Sequence, residues 1–345
     1  MSPSSLVLNG YGRIGRAFLR ALFESGRFAD YPVVAINEPA ATPEQIAQLT
    51  RHDAAHGRFA GQVRLEGGQL VIDGQPIRLL HEREPEAIDW QALGTQTVVD
   101  CSGRYPDRAG LMRFLHAGAP RLLVSKPAQS AADVDATIDF GVNHATLTGR
   151  ERLVSAASCT TNAAVPVLFA LEAEFGIESA FLTTWHCAMG DQPVADNYAK
   201  SLPLSHSALA AMVPVPTGLA RGVLRFLPEL AGRIAAKSVR VPTLNVCALD
   251  CQLTLASPFT VDAVHAALAR AAERFPDLLA IIESPCASTD FNHDPHSASL
   301  DTSQTQKIGE RGLNLLVWFD NEWGFANRML DVLCHWQSLF SPDRT

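Results

Sequence analysis

A glycine-rich turn near the start of the chain constrains the fold more than any other sequence feature. Residues 9–15 read Asn-Gly-Tyr-Gly-Arg-Ile-Gly and contain the pattern Gly-x-Gly-x-x-Gly. The pattern lies between an apolar run, Leu6–Asn9, and a helical pattern, Arg13–Ser25. A turn of this kind between a strand and a helix is typical of a dinucleotide site, although isolated matches also occur in turns that bind nothing.

Short apolar runs alternate with helical patterns through the first third of the chain. They predict strands at residues 6–9, 33–37, 97–100 and 121–124. Strands that are joined through helices lie parallel, so the alternation predicts a doubly wound parallel sheet with helices on both faces.

After residue 158 the pattern changes. A helix is predicted at Thr160–Phe175, and long apolar segments at Glu178–His186 and Ser238–Leu255 predict strands of a second, antiparallel sheet. The last part of the chain predicts a strand at Leu313–Phe319 and a helix at Glu322–Leu339.

Charge and composition exclude several classes of protein. The chain has 345 residues, 47% hydrophobic and 19% charged, which is ordinary for a soluble enzyme. A formal net charge of −8 argues against a nucleic-acid partner, because phosphate backbones require clustered Lys and Arg. No signal peptide or membrane-spanning run is expected. Seven irregularly spaced cysteines favour reduced thiols in the cytoplasm.

An acidic residue follows the second predicted strand. Gly10 permits a tight turn, Gly12 lets a pyrophosphate approach the backbone, and Gly15 lets the helix pack closely on the strand. Glu38 then stands where a carboxylate accepts from ribose hydroxyls and repels a 2′-phosphate. This favours NAD over NADP, and the alternative is a solvated loop carboxylate.

Cys159 is the candidate nucleophile and His186 its candidate base. Cys159 begins the helix that follows residue 158, and a helix N-terminus stabilises a thiolate through its dipole. His186 ends the next predicted strand, which returns along that helix. Isolated cysteines and histidines are more often structural, so the pair alone leaves that alternative open.

The remaining metal-binding residue types suggest no metal site. Cys247 and Cys251 are four residues apart on one face of a predicted strand. His293 and His296 flank Pro295 and lack partners at the spacing of a zinc site. No metal is therefore assigned.

Four segments resemble the signatures of the glyceraldehyde-3-phosphate dehydrogenase superfamily. They are Asn9–Arg16, Ser158–Asn162, Arg240–Thr243 and Asp320–Gly324. The resemblance extends over nearly the whole chain. It implies a Rossmann NAD domain of residues 1–157 and 320–345, and an α+β catalytic domain of residues 158–319 with a mainly antiparallel sheet.

The resemblance also implies roles. Cys159 attacks an aldehyde to form a hemithioacetal, His186 takes the proton and stabilises the oxyanion, and hydride passes to NAD. The resulting thioester is released by water or by phosphate. The positions that match cofactor contacts are Gly10, Gly12, Arg13, Ile14, Gly15, Glu38, Ser102, Gly103, Ser125 and Asn321. The positions that match substrate or anion contacts are Ser158, Thr160, Thr217, Gly218 and Arg240. A homotetramer is expected.

Within the superfamily the chain is most similar to the erythrose-4-phosphate dehydrogenase branch. Glu38 stands where phosphorylating enzymes usually have Asp, and Met189 replaces a phosphate-binding Thr. The segment Asp290–Ser297 is similar to that branch almost residue for residue. This implies oxidation of erythrose 4-phosphate to 4-phosphoerythronate by hydrolysis.

The segment between Gln192 and Gly218 departs from the family, because Leu202–Ala208 stands where the family carries an Arg-Arg-x-Arg run. A guanidinium on a phosphate contributes about 1.5–3 kcal/mol. One alternative is therefore a divergent enzyme for a less anionic substrate. Others are a phosphorylating glyceraldehyde-3-phosphate dehydrogenase and a catalytically idle dinucleotide-binding module.

Overall fold

The computed structural model describes residues 4–199 and 201–340. The chain divides into two compact units. One contains the residues up to Ser158 together with those from Ala326 onward, and the other spans Cys159–Phe325. None of the helices in the described part of the chain has the length and apolar character needed to span a bilayer.

The first unit is built on a nine-stranded sheet. Its strands are β1 Leu6–Asn9, β2 Val33–Asn37, β5 Val63–Glu66, β6 Gln69–Ile72, β7 Gln75–Leu80, β8 Thr97–Asp100, β9 Leu122–Val124, β10 Ala136–Thr137 and β11 Leu153–Ser155. Two further strands, β3 His52–Asp53 and β4 Gly57–Arg58, form a separate pair. The sheet order is β10-β11-β9-β8-β1-β2-β7-β6-β5.

The centre of this sheet is parallel, and its one antiparallel edge is formed by β5, β6 and β7. The central strands β1 and β8 are buried along their whole length. That burial explains why they are continuous apolar runs and not alternating ones. The helices of the unit are α1 Arg13–Glu24, α2 Pro43–Arg51 and α3 Arg108–His116.

The second unit contains a seven-stranded, mainly antiparallel sheet of order β13-β14-β12-β15-β18-β17-β16. Its strands are β12 Ile177–His186, β13 Val213–Val215, β14 Ile234–Arg240, β15 Cys247–Leu255, β16 Leu279–Ile282, β17 Ala298–Ile308 and β18 Gly312–Phe319. Its helices are α4 Cys159–Phe175, α5 Leu219–Val223 and α6 Val261–Arg274. The last helix, α7 Trp323–Ser338, begins in this unit and continues in the first.

Seven short 3-10 helices complete the described structure: Arg27–Ala29, Pro85–Ala87, Ala131–Asp133, His144–Thr146, Pro203–Ser205, Pro228–Leu230 and Ser288–Phe291.

One long apolar segment of the sequence is not a single strand. The stretch predicted at Ser238–Leu255 contributes to two strands, β14 and β15, which are separated by Val241–Val246. Pro242 has no N–H to give to a sheet, and Val246 has φ of +65°, outside the strand region. The chain turns between them, which brings the start of β15 beside the end of β12.

Candidate active site

The glycine-rich turn joins β1 to α1 and admits little change. Gly10 has φ of +86°, and a Cβ there would lie 2.5 Å from the backbone nitrogen of Ser102. A Cβ at Gly15 would lie 2.3 Å from the carbonyl oxygen of Gly10. By contrast, a Cβ at Gly12 would meet no protein atom within 4 Å. The turn therefore has no room for a side chain at Gly10 or Gly15, whereas the space beside Gly12 is open.

A cavity of about 250 Å³ lies at this turn. It forms at the carboxyl ends of parallel strands, where ligands of doubly wound sheets bind. Residues that line it include Asn9, Gly10, Gly12, Asn37, Glu38 and Ser102.

The Glu38 carboxylate is fixed at this cavity by two backbone donors. Its Oε2 accepts from the N–H of Tyr11 at 2.8 Å, and its Oε1 accepts from the N–H of Ala40 at 3.0 Å. Charge-assisted bonds of this kind orient a carboxylate strongly. Glu38 is thus a positioned acceptor at the cavity wall.

A buried polar network joins the ends of three strands and was missed by the sequence analysis. Asn9 donates from Nδ2 to Asp100 at 2.8 Å, and Asn37 donates from Nδ2 to Asn9 Oδ1 at 2.8 Å. Ser102 donates from its hydroxyl to the same Asp100 oxygen at 2.7 Å, and burial raises the pKa of Asp100. The available signal was that β1, β2 and β8 each end in Asn or Asp.

The other predicted cofactor residues lie at several places. Arg13, Ile14 and Gly15 form the first turn of α1. Gly103 follows Ser102 with φ of +64°, and Ser125 follows β9 and donates its N–H to the Asp100 carbonyl at 3.0 Å. Asn321 belongs to the second unit.

The predicted nucleophile and base are adjacent in the second unit. Cys159 is the first residue of α4, and its Sγ lies 3.9 Å from Nε2 of His186, the last residue of β12. The other ring nitrogen, Nδ1, is 2.9 Å from the carbonyl oxygen of Cys187. A carbonyl only accepts, so Nδ1 carries a proton and Nε2 is the atom that exchanges a proton with the sulfur.

The environment of His186 favours its charged form. Burial by itself lowers the pKa of His186, but the neighbouring sulfurs of Cys159 and Cys187 raise it to about 10. The Thr160 hydroxyl is 3.7 Å from the Cys159 sulfur. The arrangement holds a sulfur and an imidazolium together at a helix N-terminus, which is the arrangement of an activated thiol nucleophile.

Arg240 lies beside His186 because β14 pairs with β12 in that register. Its Nη1 donates to the Cys187 carbonyl at 3.4 Å, so His186 and Arg240 share one acceptor. The buried Nε of Arg240 has no hydrogen-bond partner among the described residues. An orphaned guanidinium donor next to the base is suited to an anionic group of a ligand.

The other predicted anion-site residues occupy helix N-termini. Ser158 directly precedes α4, and Thr160 is in its first turn. The Thr217 hydroxyl accepts from the N–H of Leu219 at 3.2 Å, and Gly218 precedes the short helix α5. The Thr217 hydroxyl therefore satisfies the N–H of the first residue of α5, whose N-cap residue is Gly218.

Trp185, the residue before the base, and Met189, which replaces a Thr of the resembled family, are surface residues. Trp185 is 41% exposed, whereas the neighbouring His186 is 8% exposed. Adjacent strand residues point to opposite faces, so the Trp185 side chain points to the other face of β12 from the base. Met189 is also exposed.

Asn321, one of the predicted cofactor residues, is held by two cysteines. Its Oδ1 accepts from the thiol of Cys187 at 3.1 Å and from that of Cys247 at 3.3 Å. Both thiols are buried. The hydrogen bond with Cys247 is the largest cause that lowers the pKa of Cys187. His186 lowers this pKa further, and burial acts in the opposite direction. Sequence spacing gave no signal for this contact, since the two cysteines are 60 residues apart.

Comparison with protein-family models gives two matches from one family. Residues 158–321 match glyceraldehyde 3-phosphate dehydrogenase, C-terminal domain. Residues 4–108 match glyceraldehyde 3-phosphate dehydrogenase, NAD binding domain. The matches and the two sheets confirm the predicted fold class, and the second match confirms NAD as the cofactor.

Proposed function

Since this chain belongs to the glyceraldehyde 3-phosphate dehydrogenase family, and is therefore an NAD-dependent oxidoreductase that acts on an aldehyde, we propose that it works through a thioester on Cys159. The observation that carries this proposal is the 3.9 Å approach of Cys159 Sγ to His186 Nε2, with the ring orientation fixed through Nδ1.

The first unit fits the cofactor. The open side of Gly12, the N-terminus of α1 and the fixed Glu38 carboxylate supply the phosphate and ribose contacts. When bound, NAD supplies a hydride acceptor. The carboxylate at position 38 disfavours a 2′-phosphate by like-charge repulsion.

The chain's own residues carry the remaining chemistry. The Cys159 thiolate adds to the aldehyde carbon, and the carbonyl oxygen takes the proton held at His186 Nε2 to form a hemithioacetal. When that carbon gives up its hydride, Nε2 takes the hydroxyl proton back and the thioester forms. Water then adds to the thioester carbon, and cleavage of the C–S bond returns the Cys159 thiol and releases a carboxylic acid.

For the substrate, we favour a phosphorylated aldose of the erythrose 4-phosphate type, with water as the acceptor. Arg240, with its partnerless Nε beside His186, supports an anionic substrate. The missing arginines of Leu202–Ala208 support the second candidate, an aldehyde with less negative charge, because each lost contact removes about 1.5–3 kcal/mol.

The two candidate substrates are distinguished by comparing how loss of Arg240 affects the oxidation of phosphorylated and of unphosphorylated aldehydes. NADH formation is measured over phosphorylated and unphosphorylated aldehydes, with Arg240→Gln as the variant. Arg270→Gln is the matched control, because Arg270 forms an exposed ion pair with Glu174. A rise in KM for phosphorylated aldehydes alone supports the sugar phosphate, while equal effects on both classes support the less anionic substrate.

The thioester and its acceptor are tested by mass spectrometry. Wild-type protein with aldehyde and NAD should carry a substrate-derived acyl group on the peptide that contains Cys159, and Cys159→Ser should not. An unmodified wild-type peptide in a sample that turns over would refute the thioester. Strong acceleration of NADH formation by inorganic phosphate would assign phosphate, not water, as the acceptor.

We also propose a cytoplasmic homotetramer. All seven cysteines are free, which agrees with a reducing compartment. Several large apolar side chains of the segment after Gln192 are exposed in the single chain: Val194, Tyr198, Leu202, Leu209 and Met212. Exposed apolar groups of this kind mark interfaces. Native mass spectrometry should give a tetramer, and a monomer at micromolar concentration would contradict the proposal.

A further inference from the structure

Two cysteines lie at the ring nitrogen of His186 that does not face Cys159. Cys187 Sγ is 3.9 Å from Nδ1 of His186, and Cys247 Sγ is 3.3 Å from the backbone nitrogen of Cys187. One donor atom from each of these three residues lies within 4.8 Å of the other two. No other group of three such ligands occurs in residues 4–199 and 201–340. The proposed aldehyde chemistry uses neither thiol.

Strand pairing holds this cluster together. Trp185 of β12 pairs with Ala248 of β15, so the end of one strand lies beside the start of the other. His186, Cys187 and Cys247 are all buried. A cluster on paired, buried strands keeps its ligand atoms in place without a bound ion, which lowers the cost of binding one.

A fourth donor atom completes the set. Asn321 Oδ1 lies 3.1 Å from Cys187 Sγ and 3.3 Å from Cys247 Sγ. We propose that His186 Nδ1, Cys187 Sγ, Cys247 Sγ and Asn321 Oδ1 form a tetrahedral site for a thiophilic divalent cation, with Zn²⁺ as the best fit. Two thiolates and one imidazole select zinc over the hard cations Mg²⁺ and Ca²⁺.

The distances agree with this geometry. Zinc binds sulfur at about 2.3 Å and nitrogen or oxygen at about 2.0–2.2 Å, so tetrahedral ligand atoms lie about 3.5–3.8 Å apart. Three of the six separations between the ligand atoms, 3.1, 3.3 and 3.9 Å, bracket that range. The donor atoms of His186, Cys187 and Cys247 all lie within 4.8 Å of one another. Binding also requires His186 Nδ1 to give up its hydrogen bond to the Cys187 carbonyl, so the ring turns toward the ion.

Charge and protons also balance. Cys187 and Cys247 each bind zinc as a thiolate, and the charged His186 ring binds it as a neutral imidazole. Three protons therefore leave for solvent, and the ion and its ligands are neutral together. Zinc takes the lone pair of Nδ1, which places the proton of the neutral ring on Nε2. That nitrogen faces Cys159 and then has no lone pair for the proton of the thiol or hemithioacetal. The filled site switches off the base.

The metal site does not depend on the proposed function, but its inhibitory effect rests on the proposed role of His186. The first test therefore measures binding alone. Full-length Cys159→Ser, which removes the competing sulfur at Nε2, is reduced with a phosphine and titrated with Co²⁺. We expect one ion per chain, with sulfur-to-cobalt charge-transfer absorption, intense tetrahedral bands and displacement by one equivalent of Zn²⁺.

Variants assign the ligands. In the Cys159→Ser background, Cys187→Ser and Cys247→Ser should each weaken cobalt binding by at least about a hundredfold, more than the loss typical of an outer-shell partner. Cys251→Ser is the matched control, because Cys251 is a buried cysteine on the same strand, β15. It should retain the full absorption. Circular dichroism and thermal melting check that each variant is folded.

Several results would overturn the site: no charge-transfer band, unchanged binding in folded Cys187→Ser and Cys247→Ser, or equal loss in Cys251→Ser. Activity is read separately, on chains with Cys159 intact. Zinc should inhibit the wild type reversibly, and Cys187→Ser should resist zinc relative to its own metal-free rate. Binding without inhibition would leave the site standing and refute the role assigned to His186.

Discussion

Alanine substitutions at Gly12 and Gly15 should separate two effects: loss of stability of the first unit, and loss of cofactor binding. At Gly15 the new Cβ would lie 2.3 Å from the Gly10 carbonyl oxygen. Ordinary carbon–oxygen contacts are about 3.3–3.6 Å, so about 1 Å of movement is required. Gly10 is held by its N–H bond to the Asn37 carbonyl at 2.9 Å, so the movement disturbs β2 as well.

The expected magnitudes follow from these contacts. Overpacking of this kind costs about 1–3 kcal/mol, and about 2–4 °C of melting temperature accompanies each kcal/mol in a domain of this size. Gly15→Ala should therefore melt about 2–12 °C lower. Gly12→Ala meets no protein atom within 4 Å, so its melting temperature should stay the same or rise slightly. Its methyl group occupies the open side of the turn and should weaken NAD binding about tenfold or more, a loss of about 1.4 kcal/mol.

The assay is thermal denaturation with and without NAD, together with calorimetric titration of the cofactor. Gly12→Ala should keep the apo melting temperature but lose most of the NAD-dependent increase. Gly15→Ala should lose both. Equal destabilisation of the two variants, or wild-type NAD affinity in Gly12→Ala, would show that the assignment of the open side of the turn is incorrect.

Three further outcomes are expected from single groups. Glu38→Gln removes the charge at the cavity and should raise binding of NADP relative to NAD about tenfold, measured as a ratio of dissociation constants; an unchanged ratio would exclude a role for this carboxylate in cofactor choice. Burial raises the pKa of Asp139 well above its ordinary value, because the folded protein disfavours the charged carboxylate. This carboxyl therefore does not destabilise the fold below the unfolded pKa of about 3.9, and it destabilises the fold increasingly as the pH rises above that value. The melting temperature of Asp139→Asn relative to wild type should therefore increase from pH 4 to pH 8, and a constant difference would contradict the buried carboxyl. The pKa of His186 is raised to about 10, so its imidazolium NMR signals should persist at pH 8, in contrast to a titration near pH 6.5.

Much of the regular structure could be predicted from the sequence. The strands β1, β2 and β8 have the predicted bounds, because each is a continuous apolar run bounded by polar residues. The long helices α1, α4 and α7 have ends within one residue of those predicted, since caps and glycines such as Gly176, with φ of +67°, are local signals. The short strands between residues 52 and 80 were not predicted. They are partly exposed, so their apolar pattern is weak.

Parts of the candidate site could also be predicted, for the same local reason. The positions of Cys159 at the start of a helix and of His186 at the end of a strand are set by nearby residues in the sequence. Their separation of 3.9 Å depends on how β12 returns along α4. The shared acceptor of His186 and Arg240, and the orphaned Arg240 Nε, depend on the register of β12 with β14. No spacing along the chain encodes that register.

Local sequence signals were enough to predict the glycine-rich turn of the first unit and the candidate groups Cys159 and His186. Gly10 is required by its positive φ angle, and Gly15 is required by its short contact with the Gly10 carbonyl. Both constraints involve nearby residues only, so the local sequence pattern is enough to predict them. Contacts between residues that are distant in the sequence depend on the fold. Cys187 and Cys247 share Asn321 Oδ1 because the antiparallel pairing of β12 with β15 sets the end of one strand against the start of the other. Long-range strand pairing is fixed by burial of the whole sheet and not by the residues that meet at its ends.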